Sequence, residues 1–307
     1  MTEIIDGKEF AREIREEVRR EVELLKEQTG SVPGLAVVMV GENPASEVYV
    51  RMKEKACQNA GIASFQHRLS IETGEEELLD LIGNLNQDPG VSGILIQLPL
   101  PDRIDEGKIL CAVSPAKDVD GFHPANVGRL MLGEETFLPC TPLGILELLH
   151  RSGHPPRGKH VVVVGRSNIV GKPIAMMLVQ KKEEANATVT ICHTGTPDLA
   201  ALTRQADILI VSAGRPGTIT AGMVKEGVVV IDVGVNEVGR NPEGKRILVG
   251  DVDFPGVREK AGAITPVPGG VGPMTIAMLL KNTLRAYKLQ IGLTPSVSTK
   301  NFPEEKF

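Results

Sequence analysis

The stretch HVVVVGRSNIVGKP, residues 160–173, decides the fold of the second half of the chain. Its four consecutive valines predict a buried β-strand, and the apolar residues after Pro173 predict a helix. The turn between them runs from Gly165 to Gly171. A strand, a glycine-containing turn and a helix together place free backbone N–H groups where they can hold a phosphate. A plain strand–helix turn is the alternative, because the motif is Gly-x-Ser-x-x-x-Gly and not Gly-x-Gly-x-x-Gly.

Strands and helices alternate on both sides of this motif, which predicts an α/β fold with parallel sheets and flanking helices. The predicted strands are residues 35–40, 64–69, 93–97, 160–164, 188–192, 208–211 and 228–233. The predicted helices are residues 6–29, 45–60, 75–87, 104–111 and 143–151, with a last one from Pro273 to about Lys288.

Two segments depart from this alternation. Residues 114–141 are rich in proline and glycine, which predicts an irregular segment that is functional or connects two domains. A proline- and glycine-rich loop at 266–273 precedes the last helix, and the polar tail from Gly292 onward is predicted to be disordered.

Composition excludes several classes of protein. The 307 residues suggest two domains at roughly 150 residues each. A formal net charge of −5 and few aromatic residues argue against nucleic acid and membranes as partners. The four cysteines are scattered, which disfavours zinc and a disulfide framework and fits a reducing cytoplasm. We therefore predict a cytoplasmic protein without a metal.

The turn after the valine strand favours NADP over NAD. Arg166 lies within the turn, where its guanidinium could hold an extra phosphate. The next predicted strand ends at His193 and Thr194, with no acidic residue to bind a ribose hydroxyl.

Three polar side chains share one face of the helix at 45–60. Ser46, Tyr49 and Lys53 stand at positions i, i+3 and i+7. A solvated lysine beside a packed tyrosine is the ordinary interpretation of such a pair. The alternative is a lysine beside a buried ligand, with a lowered pKa and a role in acid–base chemistry.

Two further polar groups follow apolar segments. Gln97 ends the strand at 93–97, at the edge where open α/β sheets bind ligands, although a loop amide that satisfies backbone groups is equally consistent. Asp118 and Asp120 stand at alternate positions in the irregular segment. Their spacing does not decide which of them belongs to a site.

Five motifs together resemble one family, the bifunctional methylenetetrahydrofolate dehydrogenase/methenyltetrahydrofolate cyclohydrolases. The resemblance covers about residues 3–288, and its motifs stand in the order of the family. They are PASEVYVRMK (44–53), GILIQLPLP (93–101), KDVDGF (117–122), GRSNIVGKP (165–173) and PVPGGVGPMT (266–275).

The resemblance implies two domains with a cleft between them. Residues 1–139 and a returning helix at 274–290 would form the folate-binding catalytic domain, and residues 140–273 a Rossmann-like NADP-binding domain; residues 291–307 would be a flexible tail. It further implies a homodimer that acts on tetrahydrofolate derivatives in one-carbon metabolism and purine biosynthesis. The reactions would be NADP-dependent oxidation of 5,10-methylenetetrahydrofolate and hydrolysis of the methenyl product to 10-formyltetrahydrofolate.

The resemblance also implies residue roles. Lys53 would be the acid–base group of the hydrolysis, Gln97 would bind and tune it, Tyr49 would stack near the reacting carbon, and Asp120 would hold the pterin. The further substrate-binding residues would be Ser46, Pro268, Gly269, Gly272, Pro273 and Thr275. The cofactor-binding residues would be Gly165, Arg166, Ser167, Val170, Gly171, His193, Thr194, Ala213, Gly214 and Val233.

One departure from the family pattern concerns the cofactor. The family often has Ser followed by Lys or Arg after the histidine, whereas this chain has Thr194 and Gly195. Arg166 is then the main expected contact to the 2′-phosphate. The competing interpretations are an NADP dehydrogenase of the shikimate or amino-acid type and a non-catalytic nucleotide sensor. Turnover of methylenetetrahydrofolate separates all three.

Overall fold

The computed structural model describes residues 1–42 and 44–293, without the side chains of residues 44–46. The predicted disorder beyond residue 293 and the side chain of Ser46 therefore lie outside the described residues. The helices are α1 (Gly7–Thr29), α2 (Pro44–Ala60), α3 (Glu75–Gln87), α4 (Glu106–Ala112), α5 (Pro124–Leu132), α6 (Cys140–Arg151), α7 (Gly171–Leu178), α8 (Leu199–Thr203), α9 (Phe254–Arg258) and α10 (Val271–Gln290). The strands are β1 (Glu3–Ile4), β2 (Gly34–Val40), β3 (Ala63–Leu69), β4 (Gly93–Ile96), β5 (His160–Val164), β6 (Thr188–Cys192), β7 (Ile208–Val211), β8 (Val229–Asp232), β9 (Asn236–Arg240), β10 (Arg246–Val249) and β11 (Ala263–Ile264).

The first half of the chain forms a three-stranded parallel sheet in the order β3-β2-β4. All seven residues of β2 are buried, as a central strand covered on both faces requires. The helix before it, α1, is capped by Asp6, whose side chain accepts hydrogen bonds from the N–H groups of Lys8 and Glu9. The predicted bounds of α1 and β2 are confirmed to within one residue.

The second half forms a six-stranded sheet in the order β1-β11-β8-β7-β5-β6. The chain passes from β5 to β6 on one side and then returns to β7 on the other side of β5. Such a reversal leaves a crevice at the carboxyl edge of the sheet, where ligands of open α/β folds bind. The first strand, β1, also belongs to this sheet, because Glu3 and Ile4 pair with Ala263 and Ile264.

The last helix connects the two halves. α10 packs against α1, α2 and α6, and its predicted apolar stripe is buried. At its carboxyl end the hydroxyl of Tyr287 hydrogen bonds to those of Thr29 (2.8 Å) and Ser31 (2.7 Å). α10 therefore packs against helices from both halves of the chain. Within the described residues, no helix is both long and apolar enough to cross a membrane.

Two local predictions were wrong, and one hairpin was missed. The segment 114–141 contains α5, a nine-residue helix that begins at Pro124 and ends before Gly133. Its buried side chains are few and its interior includes a glycine, so periodicity did not reveal it. The last helix begins at Val271, before Pro273, so the loop ends at Gly270. The β9–β10 hairpin was missed because β9 has no regular apolar alternation.

Candidate functional site

A small cavity lies where the two halves of the chain meet, and it contains the polar residues predicted from α2 and β4. Its volume is about 180 Å³. Lys53 of α2, Gln97 after β4 and Asp120 line it together with Thr275 of α10. Phe122, Cys140, Thr141, Ile169 and Val170 are among its other lining residues. The structure thus brings Lys53, Gln97, Asp120, Thr275 and Val170 into one place.

The amine of Lys53 is held by a hydrogen bond to a side-chain amide and not by a close ion pair. Its Nζ donates a hydrogen bond of 3.0 Å to Oε1 of Gln97, while the Nε2 of Gln97 donates to the carbonyl of Leu98. The second bond fixes which end of the Gln97 amide faces the lysine. Lys53 is only 8% exposed. The cavity therefore presents a positioned amine with further N–H or lone-pair directions open to a ligand.

Burial shifts the pKa of the amine and of the carboxyl group in this cavity. It lowers the pKa of Lys53 below its ordinary value of 10.5, and the charge of Asp120 partly opposes that shift. Burial also raises the pKa of Asp120 above its ordinary value, and the charge of Lys53 opposes this. A lysine with a lowered pKa spends more of its time as a neutral base near neutral pH. The arrangement is suited to moving a proton.

The structure separates the two aspartates that their spacing left equivalent. The carboxylate of Asp118 accepts hydrogen bonds from the N–H groups of Gly121, Phe122 and His123, and from Nδ2 of Asn126. It is buried and its acceptor capacity is used within its own loop. Asp120 instead lines the cavity of Lys53. Of the two, Asp120 is the one available to a ligand.

Asn282 of α10 is a site residue that the sequence did not indicate. It is buried, and its Nδ2 donates to the carbonyls of Val119 (2.8 Å) and Leu138 (3.0 Å). Val119 precedes Asp120 directly, so α10 fixes the backbone that carries this carboxylate. Cys140 lies beside them, with its Sγ donating to the carbonyl of Val119 at 3.3 Å. In the sequence, the only signal for this role was a single asparagine within an apolar helix.

A second, larger cavity of about 740 Å³ lies beside the first. Tyr49, one turn before Lys53 on α2, and Met52, directly before Lys53, form part of its wall. The loop before α10 and the first turn of that helix form another part, with Pro268, Gly269, Gly272 and Pro273. Val233 and the β9–β10 hairpin close the remaining side. Tyr49 and this loop thus line the neighbouring cavity, whereas Thr275 lines that of Lys53.

The glycine turn after β5 has the close contacts of a phosphate-binding loop. A Cβ at Gly171 would lie 2.3 Å from the carbonyl oxygen of Gly165, so only glycine lets α7 begin this close to the strand. The hydroxyl of Ser167 accepts from the N–H groups of Val170 (3.1 Å) and Gly171 (3.3 Å). The side chain of Arg166 is exposed beside them.

The other predicted cofactor residues lie at the same edge of the sheet. His193 and Thr194 follow β6, Ala213 and Gly214 follow β7, and Val233 follows β8. All these strands are parallel, so their carboxyl ends share one side. Nδ1 of His193 accepts from the N–H of Gly195, which shapes the short loop after β6. The ten predicted residues therefore lie at the carboxyl edge of this sheet, where Val170 also lines the Lys53 cavity and Val233 the larger cavity.

Comparison with protein families assigns both halves of the chain. Residues 5–120 match the catalytic domain of tetrahydrofolate dehydrogenase/cyclohydrolase. Residues 139–291 match the NAD(P)-binding domain of the same family.

Individual relatives agree over nearly the whole chain. The bifunctional protein FolD of Dehalococcoides mccartyi is 61% identical over 290 residues, which are 94% of this chain and 98% of that protein. The structure of the bifunctional FolD methylenetetrahydrofolate dehydrogenase/cyclohydrolase from Campylobacter jejuni superposes with a TM-score of 0.89 at 50% identity, covering 94% and 100% of the two chains. The Trypanosoma brucei enzyme, solved with NADP and an inhibitor, gives a TM-score of 0.89 at 40% identity, covering 94% and 98%. This chain belongs to the tetrahydrofolate dehydrogenase/cyclohydrolase family.

Proposed function

We propose that this protein oxidises 5,10-methylenetetrahydrofolate to the methenyl form with NADP and then hydrolyses that product to 10-formyltetrahydrofolate. The observation that carries the proposal is the Lys53 cavity. There an amine whose pKa is lowered by burial, an amide that orients it and a carboxylate share about 180 Å³ at the junction of the two halves. Family membership supplies the substrate class.

The crevice at the six-stranded sheet fits the dinucleotide. The dipole of α7 favours an anion at the Gly165–Gly171 turn, which adjoins the N-terminus of this helix. Arg166 would hold the additional 2′-phosphate, and its exposure beside the turn supports this role. When bound, NADP accepts a hydride from the one-carbon unit. Residues after β6, β7 and β8 orient the cofactor along this edge.

The two adjoining cavities fit a folate in two parts. Asp120 lies in the smaller cavity, where its carboxylate can accept hydrogen bonds from the amino and ring nitrogens of the pterin. The larger cavity is lined by Tyr49, Met52 and the loop with Pro268, whose apolar surfaces suit an aromatic ring. The benzoyl part of the folate would lie there. In this pose the reacting carbon stands between Tyr49 and Lys53.

The oxidation step requires little acid–base chemistry from the protein. As the hydride leaves, a lone pair on a folate nitrogen stabilises the positive charge on the one-carbon unit. The contribution of the residues is to align that carbon and to exclude water until the step is complete. Asp120 and the Tyr49 wall supply that alignment.

Hydrolysis requires a base and then an acid. Water adds to the methenyl carbon and loses one proton to give a hydroxyl. This hydroxyl loses its own proton to become the formyl oxygen, while the bond from the carbon to one folate nitrogen breaks and that nitrogen gains a proton. One proton in total is released. Neutral Lys53 takes the proton from water and, as an ammonium, returns it to the leaving nitrogen. Gln97 keeps the amine pointed into the cavity through Oε1.

We also propose that different segments of the chain bind the two ligands, as the motifs indicate. Residues 1–139 with the helix at 274–290 would bind folate, and residues 140–273 would bind NADP. The placement of α10 against α1, α2 and α6 supports the returning helix. The short strand β1 is an exception within the first segment, since it pairs with β11. The four cysteines are free thiols, which supports a cytoplasmic location.

A homodimer is supported by the outer edge of β3. Among the described strands, β3 pairs only with β2, and its Phe65 is 39% exposed. We propose that β3 of a second copy pairs with this edge across a two-fold axis. Gln66→Pro should then yield a monomer in sedimentation, whereas a parent that already sediments as a monomer contradicts the pairing.

The decisive test of the function follows both steps in one cuvette. NADPH formation from methylenetetrahydrofolate and NADP reports the oxidation, and decay of the methenyl absorbance reports the hydrolysis. Shikimate and amino acids serve as control substrates. Reduction of NADP by one of these and not by the folate would reject the proposal, as would binding of NADP without turnover of any of them.

A further inference from the structure

Two buried carboxylates lie at the carboxyl edge of the six-stranded sheet, outside the Lys53 cavity and the glycine turn. Asp232 is the last residue of β8, and Asp251 follows β10. Their exposures are 2% and 0%. The proposed mechanism uses neither of them. Buried carboxylates need hydrogen-bond donors, and the identity of these donors shows what the pair connects.

Asp232 fixes the position of the chain around Asp251. Its Oδ1 accepts from the N–H groups of Gly234 (3.0 Å) and Asp251 (2.9 Å), and its Oδ2 accepts from the N–H of Val252 (3.0 Å). A Cβ at Gly250 would lie 1.8 Å from that same Oδ2, so the backbone closes tightly around the carboxylate. The Asp251 backbone is thereby held on the end of β8.

The side chain of Asp251 reaches two separate segments. Its Oδ2 accepts a 2.8 Å hydrogen bond from the N–H of Gly214, in the loop after β7. Its Oδ1 accepts a 2.9 Å bond from Nδ2 of Asn236, the first residue of β9. The Gly214 loop stands at the crevice proposed for NADP. The hairpin that begins at Asn236 forms one wall of the 740 Å³ cavity proposed for folate, through its neighbours Val235 and Glu237.

We propose that Asp251 is a positioning residue. Its two carboxylate oxygens hold the loop after β7, at the crevice proposed for NADP, and the β9–β10 hairpin, at the cavity proposed for folate, in fixed relative positions. This inference rests on the proposed function, because that function assigns a ligand to each side. Asp251 itself touches neither ligand. It acts on NADP through Gly214 and on folate through Asn236.

Equilibrium binding separates the two contacts, and it does not depend on catalytic activity. The ligands are NADP and tetrahydrofolate, which lacks the one-carbon unit and therefore does not react. Asp251→Ala removes both contacts and should weaken the binding of each ligand by about tenfold, the loss expected for a charge-assisted hydrogen bond. Asn236→Ala removes one contact and should weaken tetrahydrofolate binding while leaving that of NADP unchanged.

A conservative variant shows whether hydrogen bonding is responsible. In Asp251→Asn the new Oδ1 can still accept from Gly214, and the new Nδ2 can donate to Asn236 once that amide turns over. This turn gives up only the long 3.4 Å hydrogen bond from Nδ2 of Asn236 to the carbonyl of Val249. Both affinities should therefore stay near those of the parent. A general loss of packing would affect Asp251→Asn and Asn236→Ala without this selectivity. Thermal melts establish which variants fold. If Asp251→Ala does not fold, the test relies on Asn236→Ala.

Unchanged affinities in folded Asp251→Ala would overturn the inference, as would equal weakening of both ligands in Asn236→Ala. Failure of the proposed function has a different signature. In that case the parent protein itself would not bind tetrahydrofolate or would not reduce NADP with methylenetetrahydrofolate, whatever stands at position 251.

Discussion

The Nζ of Lys53 donates a 3.0 Å hydrogen bond to Oε1 of Gln97, which joins the middle of α2 to the residue that follows β4. The position of each side chain in the cavity depends on the element that carries the other. The helix supplies the amine, and the parallel sheet places its strand end where the amine arrives. Because burial lowers the pKa of Lys53 while Gln97 offers only a neutral acceptor, the amine is not locked as an ammonium.

Lys53→Gln should separate the two reactions. Hydrolysis requires a base and an acid, and their removal typically costs about 10²–10⁴-fold in rate. Oxidation requires neither, so its rate should fall less and methenyltetrahydrofolate should accumulate. Both rates are measured on one preparation. Lys55→Gln, an exposed lysine on the same helix, is the matched control. Hydrolysis at the parental rate would remove Lys53 from the mechanism, and equal loss of both rates would reduce it to substrate placement.

Asp120→Asn and Asp118→Asn should have different consequences. The amide introduced by Asp120→Asn could no longer accept two hydrogen bonds from the pterin, so folate affinity should fall by about one to two decades while stability and NADP affinity stay. The amide introduced by Asp118→Asn would present a donor to N–H groups that the carboxylate now satisfies. The free energy of unfolding should then fall by about 1–3 kcal/mol. Urea unfolding and folate titration check both variants. A larger loss of folate affinity in Asp118→Asn would reverse the assignment.

The sequence predicted the parts of the site that depend on local periodicity. A polar residue after an apolar strand and a lysine on a defined helix face are local features, and Gln97 and Lys53 do meet. The choice between Asp118 and Asp120 could not be made from residues alone, because alternate positions would lie on the same side of the segment if it were extended. It depends on how the loop at 121–123 turns back over Asp118.

The contacts that the sequence did not predict join distant segments. Asn282 lies more than 160 residues from Val119, and Asp251 lies 37 residues from Gly214. Strand β1 has two residues and gains its structure only from β11 at the other end of the chain. Short strands and single buried polar residues have no period, so only the tertiary structure reveals them. The α/β class and the main strands were predicted because long valine-rich runs need no partner to be recognised.

Arg166→Ala tests the choice of cofactor. The exposed guanidinium beside the α7 turn should contribute to binding only when a 2′-phosphate is present. The Michaelis constant for NADP should rise by about one to two decades, which corresponds to roughly 1.5–3 kcal/mol, and that for NAD should change little. Arg157→Ala, an exposed arginine before the opposite end of β5, is the control. An equal rise for both cofactors would show that Arg166 does not bind the 2′-phosphate.

Asp232 should make stability depend on pH in a defined window. Burial raises its pKa from 3.8 to about 6, and the nearby charge of Asp251 adds to this, although three backbone N–H groups oppose it. The native state thus holds the proton more tightly than the unfolded chain does. Its contribution is therefore fully present below pH 3.8 and is lost as the pH rises through about 6.

The measurement compares the parent with Asp232→Asn by urea unfolding at several pH values. One unit below the folded pKa, the parent should retain about 1.4 kcal/mol of this stabilisation, and almost none should remain above about pH 7.5. The variant carries a constant penalty for its altered hydrogen bonds to Gly234 and Val252, which cancels in the slope. The free energy of unfolding of the parent should therefore fall relative to the variant as the pH rises from about 5 to 7.5. Parallel curves would mean that Asp232 is already ionised throughout this range, because its hydrogen bonds outweigh its burial.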